Sequence, residues 1–231
     1  NVHVELVEPR VRYRETIKAR GDSKHRHKKQ TGGAGQFAEV WMRIEPKPRD
    51  TGFEFTQTLS GQNVDRVFVP SVEKGVMKAC EEGILAGYRV VDVKVEFYDG
   101  KMHPVDSKDI AFQIAGYFGF KEAFEKARPC LLEPIYLVEI RIPDDCMGKV
   151  MGDLSSRRGK IQGMDMEGGF QLIKATVPSK ELYRYSSTLR SLTGGRGVHS
   201  ESFSHYEEMP REAEQKVVEE SKRAKQAQQA E

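Results

Sequence analysis

The sequence is short of cysteine and has no long apolar run, and each shortage excludes a class of protein. Cys80, Cys130 and Cys146 are the only cysteines among 231 residues, an odd number without close spacing. This pattern suggests neither a disulfide framework nor a zinc knuckle, and it fits the reducing environment of the cytoplasm. No segment approaches the roughly 20 apolar residues of a membrane-spanning helix. We therefore expect a cytoplasmic protein with no metal site and no membrane partner.

The beginning of the sequence also lacks two features. It has neither an initial Met nor a signal-peptide pattern, and it starts at Asn1 in the middle of an apolar alternation. Residues 1–8 alternate like a strand whose partners lie upstream. We interpret the chain as a piece of a longer protein, with Pro9 at the joint to the next domain.

Charge is nearly balanced over the whole chain but not along it. The formal net charge is +2, yet a run of cations before residue 30 is opposed only by Asp22. The run comprises Lys18, Arg20, Lys24, Arg26, Lys28 and Lys29. Gly32, Gly33 and Gly35 follow it and let the backbone approach a partner closely. The pattern indicates a polyanionic partner. A plain hairpin turn beside a solvated strand face is the competing interpretation.

Apolar periodicity predicts strands and helices in the first half of the chain. Alternation predicts strands near 40–45 and 91–97, with a turn at Asp99-Gly100. Helices are predicted from Ser71 to about Leu85 and over about 107–127. The apolar residues of the second helix recur on most of its circumference, which implies burial. They include Ile110, Ile114, Phe118, Phe120 and Phe124.

The second half is predicted to follow the order β-α-β-β-α-β. The predicted strands cover about 135–142, 159–165, 169–177 and 197–206, and the predicted helices about 144–156 and 179–193. This order is the split βαβ or ferredoxin-like pattern, with two helices on one face of an antiparallel sheet. Beyond Pro210 the segment is charged and is interpreted as either a lightly docked helix or a frayed tail.

Eight motifs, taken together and in order, resemble one protein family. They are Tyr13-Arg14-Glu15-Thr16-Ile17, Gln30-Thr31-Gly32-Gly33 with Gly35-Gln36, Val69-Pro70-Ser71-Val72-Glu73-Lys74-Gly75, Leu85-Ala86-Gly87-Tyr88, Val105-Asp106-Ser107, Leu131-Leu132-Glu133-Pro134, Gly152-Asp153-Leu154-Ser155-Ser156-Arg157-Arg158-Gly159 and Leu189-Arg190-Ser191-Leu192-Thr193. The set covers almost everything from about residue 3 to about residue 210. It is similar to the C-terminal third of the translation elongation factor G family of ribosomal translocases.

This resemblance implies an α+β fold in two domains. Residues 1–8 would be the last strand of a preceding domain. Residues 9–128 would form an arm domain with the ribosomal protein S5 domain 2-like fold, and 129–231 a ferredoxin-like domain with a helical tail from about 210. The parent would be a ribosome-dependent GTPase that binds GTP and magnesium in an upstream domain. The fragment itself would be no enzyme and would contain no catalytic residue.

The resemblance also implies where RNA binds. The arm would enter the decoding region of the small ribosomal subunit and touch transfer RNA and messenger RNA through two tip loops. The tip residues would be Lys28, Lys29, Gln30, Thr31, Gly32, Gly33, Ala34, Gly35, Gln36, His103, Pro104, Val105, Asp106 and Ser107. The second domain would contact ribosomal RNA near the factor-binding centre. Arg157, Arg158 and Lys160 are interpreted there as either phosphate contacts or a solvated helix end. We expect a monomer on the ribosome.

Two other interpretations compete with a translocase. Many relatives carry Arg and Asp where this chain has Ala34 and Pro104, so a paralogue acting in ribosome recycling or ribosome protection stays open. His103 and Asp106 resemble the acid–base pair of a small enzyme.

No nucleotide site is expected in this chain, because Gly159-Lys160 lacks both the earlier glycine and the following Ser or Thr of a phosphate loop.

Overall fold

The chain consists of two compact units. The computed structural model describes residues 10–30 and 35–229. The first unit contains Arg14–Leu131 and 209–229, and the second contains 10–13 and Leu132–Glu208. In the described ranges, no helix combines the length and the apolar character needed to cross a membrane.

Both units mix strands and helices. In chain order, the strands and helices of the described residues are β1 (Arg14–Ile17), β2 (Gly21–Lys29), β3 (Gln36–Pro46), β4 (Glu54–Gln57), α1 (Val69–Glu82), β5 (Val93–Lys101), α2 (Asp109–Lys126), β6 (Pro129–Pro143), α3 (Met147–Ser156), β7 (Lys160–Glu167), β8 (Phe170–Pro178), α4 (Tyr185–Thr193), β9 (Val198–Glu208) and α5 (Arg211–Gln229). The strands predicted near 40–45 and 91–97 correspond to β3 and β5, and the helix predicted from Ser71 corresponds to α1.

The sheet of the first unit has the strand order β2-β3-β5-β4. β3 is antiparallel to β2 and to β5, whereas β4 runs parallel to β5. The predicted alternation in β3 is confirmed, because Val40, Met42 and Ile44 are at most 1% exposed and share one core with Phe112 and Phe120 of α2. One face of this sheet therefore lies against the helices.

Two glycines set the spacing between α1 and α2. A Cβ atom on Gly116 would lie 2.6 Å from the backbone oxygen of Val72, and one on Gly75 would overlap the backbone oxygen of Gln113. Because a helix backbone cannot move aside as a flexible side chain can, larger residues here would push the helices apart. Small residues thus let the two helices form one closely packed layer.

Part of the burial predicted for α2 is wrong. Ile110 and Phe118 are 47% and 43% exposed, whereas Phe120 and Phe124 are fully buried as expected. The buried side of the helix also carries small residues, namely Ala111, Ala115, Gly116, Gly119 and Ala123. The close approach to α1 requires small residues, so the larger ones at positions 110 and 118 point away from the core.

The turn predicted at Asp99-Gly100 is also wrong, because β5 continues through both residues. The register with β3 shifts between Trp41 and Met42, which leaves Tyr98 as the extra residue of a bulge. A Cβ atom at position 100 would overlap the backbone oxygen of Glu39. The glycine therefore serves a close backbone approach inside a strand rather than a turn.

The second unit has the predicted ferredoxin-like order. Its antiparallel strands are arranged β9-β6-β8-β7. Val138 and Ile140 of β6 share a core with Val150 and Leu154 of α3 and with Leu189 of α4. The helix predicted over 179–193 is divided, since a 3₁₀ turn precedes a residue with positive φ and only then does α4 begin.

The last helix differs from its sequence-based placement within 129–231, because it packs in the first unit. Glu214 of α5 accepts a hydrogen bond from the backbone N–H of Leu131 at 2.9 Å, and Ser221 donates one to the backbone oxygen of Ala86 at 2.5 Å. Val217 is 4% exposed. The tail after Pro210 is therefore a docked helix over 211–229.

Glu15 of β1 fixes a distant loop of the first unit. Its side chain is 0% exposed, and its two oxygens accept four backbone N–H bonds from the loop 84–88 at 2.7–2.9 Å. The donors are Ile84 and Leu85 for one oxygen and Ala86 and Tyr88 for the other. A buried carboxylate is tolerated here because donors fill its lone pairs.

Replacing Glu15 with Gln should destabilise the first unit by at least about 2 kcal/mol. The amide nitrogen of Gln cannot accept hydrogen bonds, so the backbone N–H groups that face it would lose their acceptor. Urea unfolding followed by circular dichroism measures the loss. Glu54→Gln is the matched control, since the Glu54 side chain is 42% exposed. The control should change the free energy of unfolding by less than about 0.5 kcal/mol. A Glu15→Gln protein that unfolds at the wild-type midpoint would contradict the assigned role.

Candidate nucleic-acid interface

The first predicted tip loop connects β2 to β3. Lys28 and Lys29 end β2, Gln36 begins β3, and Gln36 pairs with Lys29. Gln30 is exposed and Gly35 is half-buried. The predictions for Thr31, Gly32, Gly33 and Ala34 fall outside the described residues and stay predictions.

The two predicted tip loops are joined by hydrogen bonds. The backbone N–H of Phe37 donates to the backbone oxygen of Asp106 at 2.9 Å. The Ser107 hydroxyl donates to the backbone oxygen of Phe37 at 2.8 Å and accepts from the backbone N–H of His103 at 2.8 Å. Ser107 was expected to begin the helix, but α2 starts at Asp109 because this hydroxyl bridges the loops instead of capping.

Gly35 allows this close junction. A Cβ atom at position 35 would lie 2.8 Å from Oδ2 of Asp106 and would overlap Oδ1. The Asp106 carboxylate thus rests directly against the backbone of the first loop. A larger residue at position 35 would have to displace this side chain, so the glycine provides the space for the junction.

The hydrogen bonds of His103 determine which nitrogen carries its proton. Nδ1 accepts the backbone N–H groups of Val105 at 3.3 Å and Asp106 at 3.2 Å. In the neutral ring, the proton then resides on Nε2, which has no acceptor among the residues that the structure describes and belongs to a half-exposed side chain. A catalytic His–Asp pair would need Nδ1 to donate to the carboxylate. The acid–base interpretation of His103 and Asp106 therefore does not fit the geometry.

The rest of the second loop is an exposed turn. Pro104 is exposed, and Val105 is 76% exposed, the largest fraction among the exposed large apolar side chains of the described residues. The ring of His103 lies 6.3 Å from that of Phe37, centroid to centroid. The turn therefore presents a donor, a ring and an apolar side chain to the solvent.

A third segment, 61–64, lies beside these loops and was not predicted from the sequence. Met102 donates its backbone N–H to the backbone oxygen of Asn63 at 3.2 Å, and the Asn63 amide donates to Asp99 at 3.2 Å. Val64 anchors this segment with 4% exposure. Gly61-Gln62-Asn63 is a recognisable turn composition, but no local pattern indicates which strand it will meet.

The basic run of β2 is divided between two faces. Ser23, His25 and His27 turn inward: Ser23 donates to the backbone oxygen of Gly119 at 2.7 Å, and Nδ1 of His25 lies 2.7 Å from Glu122. Nε2 of His27 lies 2.9 Å from the amide oxygen of Gln36. The remaining cations of the strand are exposed. Among the described residues, Lys28 and Lys29 have no carboxylate partner, so their charge is available at the root of the loop.

The cations predicted for the second unit are engaged with neighbouring groups. Arg157 donates to Asp153 at 2.8 Å, to the backbone oxygen of Glu181 and to Thr188 at 3.1 Å, and its side chain is 16% exposed. These bonds hold α3 against the start of α4. Arg158 pairs with Glu133 at 2.5 Å and Lys160 with Glu207 at 3.0 Å. Lys160 is the most exposed of the three cations, at 66%.

Comparison with known proteins identifies the class and then the family. The architecture is that of a two-domain α+β protein whose first unit ends in a joined pair of exposed, cation-flanked loops. Residues 9–128 match the family described as Elongation factor G, domain IV, and residues 130–217 match Elongation factor G C-terminus. The chain belongs to the elongation factor G family. The predicted resemblance and the predicted fold class, an S5 domain 2-like arm domain followed by a ferredoxin-like domain, are confirmed.

Two relatives show how much of the family this chain covers. It is 49% identical to elongation factor G of Aquifex pyrophilus over 217 residues, which are 94% of this chain and 31% of that protein. It superposes on a crystal structure of a Thermus thermophilus protein with a TM-score of 0.81 and 40% identity, covering 95% of this chain and 33% of that one. The chain therefore spans about a third of the length of these relatives.

Gly35→Ala should loosen the junction of the two loops, because its Cβ atom displaces the Asp106 carboxylate. The backbone N–H of Phe37, which bonds to Asp106, should exchange with solvent at least about tenfold faster, which corresponds to a loss of about 1.4 kcal/mol in local stability. Hydrogen exchange measured by NMR tests this. Gly148→Ala is the control, since nothing lies within 4 Å of its added Cβ atom. Unchanged exchange at Phe37 would show that the contact does not hold the loops together.

Proposed function

We propose that this chain is the ribosome-binding C-terminal part of a GTP-dependent elongation factor that promotes translocation of transfer RNA and messenger RNA. The family supports a role in translation. The observation that carries the proposal is the joined loop pair, in which an outward Nε2 donor of His103 lies at the same end of β2 and β5 as the cations Lys28 and Lys29. Such a surface suits structured RNA, which offers phosphates and exposed bases.

The tip acts in this proposal as a positioned obstacle and not as a catalyst. It enters the decoding region of the small subunit and occupies the space that the moving transfer RNA vacates, which blocks its return. The bonds among Phe37, Asp106 and Ser107 support this role, because they fix the loops before RNA arrives and reduce the entropy lost on binding. His103 donates to RNA through Nε2, while Lys28 and Lys29 contact phosphates.

The energy source lies outside these residues. We propose that GTP and magnesium bind an upstream domain of the whole protein, whose ribosome-dependent hydrolysis gates the movement of the arm. Gly159-Lys160 serves a different purpose here, because Lys160 begins β7 and pairs with Glu207 at 3.0 Å. The sequence around it also lacks the Ser or Thr that would hold magnesium.

The second unit is proposed to contact ribosomal RNA near the factor-binding centre. Lys160 is the best placed of the predicted cations, because it is exposed and needs only to exchange one carboxylate partner for a phosphate. Arg158 lies closer to its partner Glu133, and Arg157 is occupied inside the unit. We therefore assign the contact to Lys160 before Arg158, and a structural role to Arg157.

His103→Ala in the full-length protein tests the tip. The loss of one hydrogen bond to a charged or polar RNA group should slow translocation by about 10- to 100-fold. Ribosome-dependent GTP hydrolysis should stay within about twofold, because hydrolysis occurs in another domain. His103→Gln, which keeps a donor near the position of Nε2, should recover part of the rate. Toeprinting of the messenger RNA and phosphate release measure the two activities.

Two outcomes would overturn the proposal. Wild-type translocation by the His103→Ala protein would remove the tip from the mechanism. A wild-type protein that separates ribosomal subunits or relieves antibiotic inhibition without moving messenger RNA would identify a recycling or protection paralogue.

A further inference from the structure

The sheet of the first unit has a second face, opposite its core, that carries cations and aromatic rings. We call Lys24, Arg26, Trp41, Arg43 and Tyr98 the outer sheet face. Lys24 pairs with Trp41 and Arg26 with Glu39 in the register of β2 and β3. Since side chains alternate along a strand, these positions lie opposite the buried Val40 and Met42. Within this unit, α1 and α2 cover the core face and leave the outer one exposed.

Each ring on this face has a cation above it. Nζ of Lys24 lies 3.9 Å from the centroid of the Trp41 ring, and Cζ of Arg43 lies 4.1 Å from that of Tyr98. The two rings touch edge to face, with centroids 6.2 Å apart. The four side chains thus form one continuous row across three strands. Cation–π contacts of this kind hold long side chains in place.

Two carboxylates on this face, Glu39 and Glu96, are engaged with neighbouring groups. Glu39 accepts from Arg26 at 2.6 Å and from Trp41 at 2.8 Å, and its side chain is only 7% exposed. Burial alone would raise the pKa of Glu39, but these hydrogen bonds outweigh it and hold the pKa below its ordinary value. Glu96 accepts from Thr58 at 2.6 Å and lies 3.8 Å from Arg43.

The cations of this face are more accessible to a partner than Glu39 and Glu96, whose side chains are 7% and 28% exposed. Lys24 is exposed, and the side chains of Arg26 and Arg43 are 57% and 58% exposed. Asp22, opposite Arg43, is exposed, and Glu45 is 39% exposed and pairs with Arg20 at 3.2 Å. Ionised Glu39 offsets the charge of Arg26, so Lys24 and Arg43 supply most of the attraction for an approaching anion.

We propose that the outer sheet face is a second RNA-binding surface, which contacts the sugar–phosphate backbone along the side of the arm. The choice of RNA rests on the proposed function, which supplies RNA as the partner. It also rests on continuity, because same-face residues of β2 recur about every 6–7 Å and lead from Lys24 through Arg26 to Lys28 at the root of the first tip loop. An RNA strand held at the tip can therefore continue onto this face.

The rings give the surface more than charge. Trp41 and Tyr98 keep Lys24 and Arg43 extended over the sheet, so less side-chain entropy is lost when phosphates bind. The half-buried rings of Trp41 and Tyr98 also provide contact area for ribose and bases. An acidic protein segment would use the same charge but would gain little from this fixed spacing.

The test measures binding of the 231-residue chain to a fluorescein-labelled 30-nucleotide uridine RNA by fluorescence anisotropy across a salt series. Lys24→Met with Arg43→Met keeps the apolar stems over the rings and removes two charges. We expect binding about tenfold weaker near 0.1 M salt, and a plot of log affinity against log salt whose slope is shallower by about 1.4, or about 0.7 for each lost phosphate contact on a single strand. Lys24→Arg should bind like the wild type.

Controls separate a binding role from a structural one. Lys74→Met with Lys78→Met removes the same charge from the exposed side of α1 and should bind within about twofold of the wild type. Thermal unfolding by circular dichroism checks that every variant is folded. A double variant at positions 24 and 43 that binds like the wild type, or a wild-type chain that binds no RNA at 50 mM salt, overturns the proposal.

The partner class and the proposed function are tested separately. If polyglutamate of equal charge displaces the RNA as well as unlabelled RNA does, the face takes any polyanion and the assignment to RNA is wrong. The translocation assay with His103→Ala does not depend on positions 24 and 43. Failure of the RNA-binding experiment can therefore be distinguished from failure of the proposed function.

Discussion

The buried carboxylate of Glu15 is the contact on which the first unit depends. It accepts hydrogen bonds from four backbone N–H groups of the loop 84–88 and so holds that loop against β1. The same loop then offers the backbone oxygen of Ala86 to Ser221 of α5. The carboxylate of Asp92 plays a similar role with two hydrogen bonds, which it accepts from the backbone N–H groups of Asp50 and Gly52. Carboxylates binding backbone thus fix the loops that apolar packing leaves loose.

Polar contacts to the backbone also join the two predicted tip loops. Asp106 rests against Gly35 and offers its backbone oxygen to Phe37, while Ser107 closes the junction from the other side. Helix α2 begins directly after these residues. Farther along, it packs closely on α1 at Gly75 and Gly116. A loop pair fixed in this way can resist a force or bind a structured partner without first losing much entropy.

Alternation gives β2 two roles. Its inward polar residues bond to α2 and to Gln36, which seats the strand on the helix layer. Its outward cations, of which Lys24 lies over the Trp41 ring, form a charged surface that continues to the first tip loop. Because neighbouring residues of a strand face opposite sides, one basic run in the sequence supplies both the hydrogen bonds to the helix layer and the cations of the exposed surface.

Local patterns in the sequence determined the element types and, through ordered motifs, the family. Alternation identified β3 and β5, and the order β-α-β-β-α-β identified the second unit, because both depend on neighbours along the chain. Only the tertiary structure decided that β5 runs through Asp99-Gly100, that α5 packs in the first unit and that Arg157 is occupied internally. It also joined two loops through Ser107 and Phe37, which are 70 residues apart. These outcomes depend on backbone atoms that meet across long sequence separations, and no local pattern carries that information.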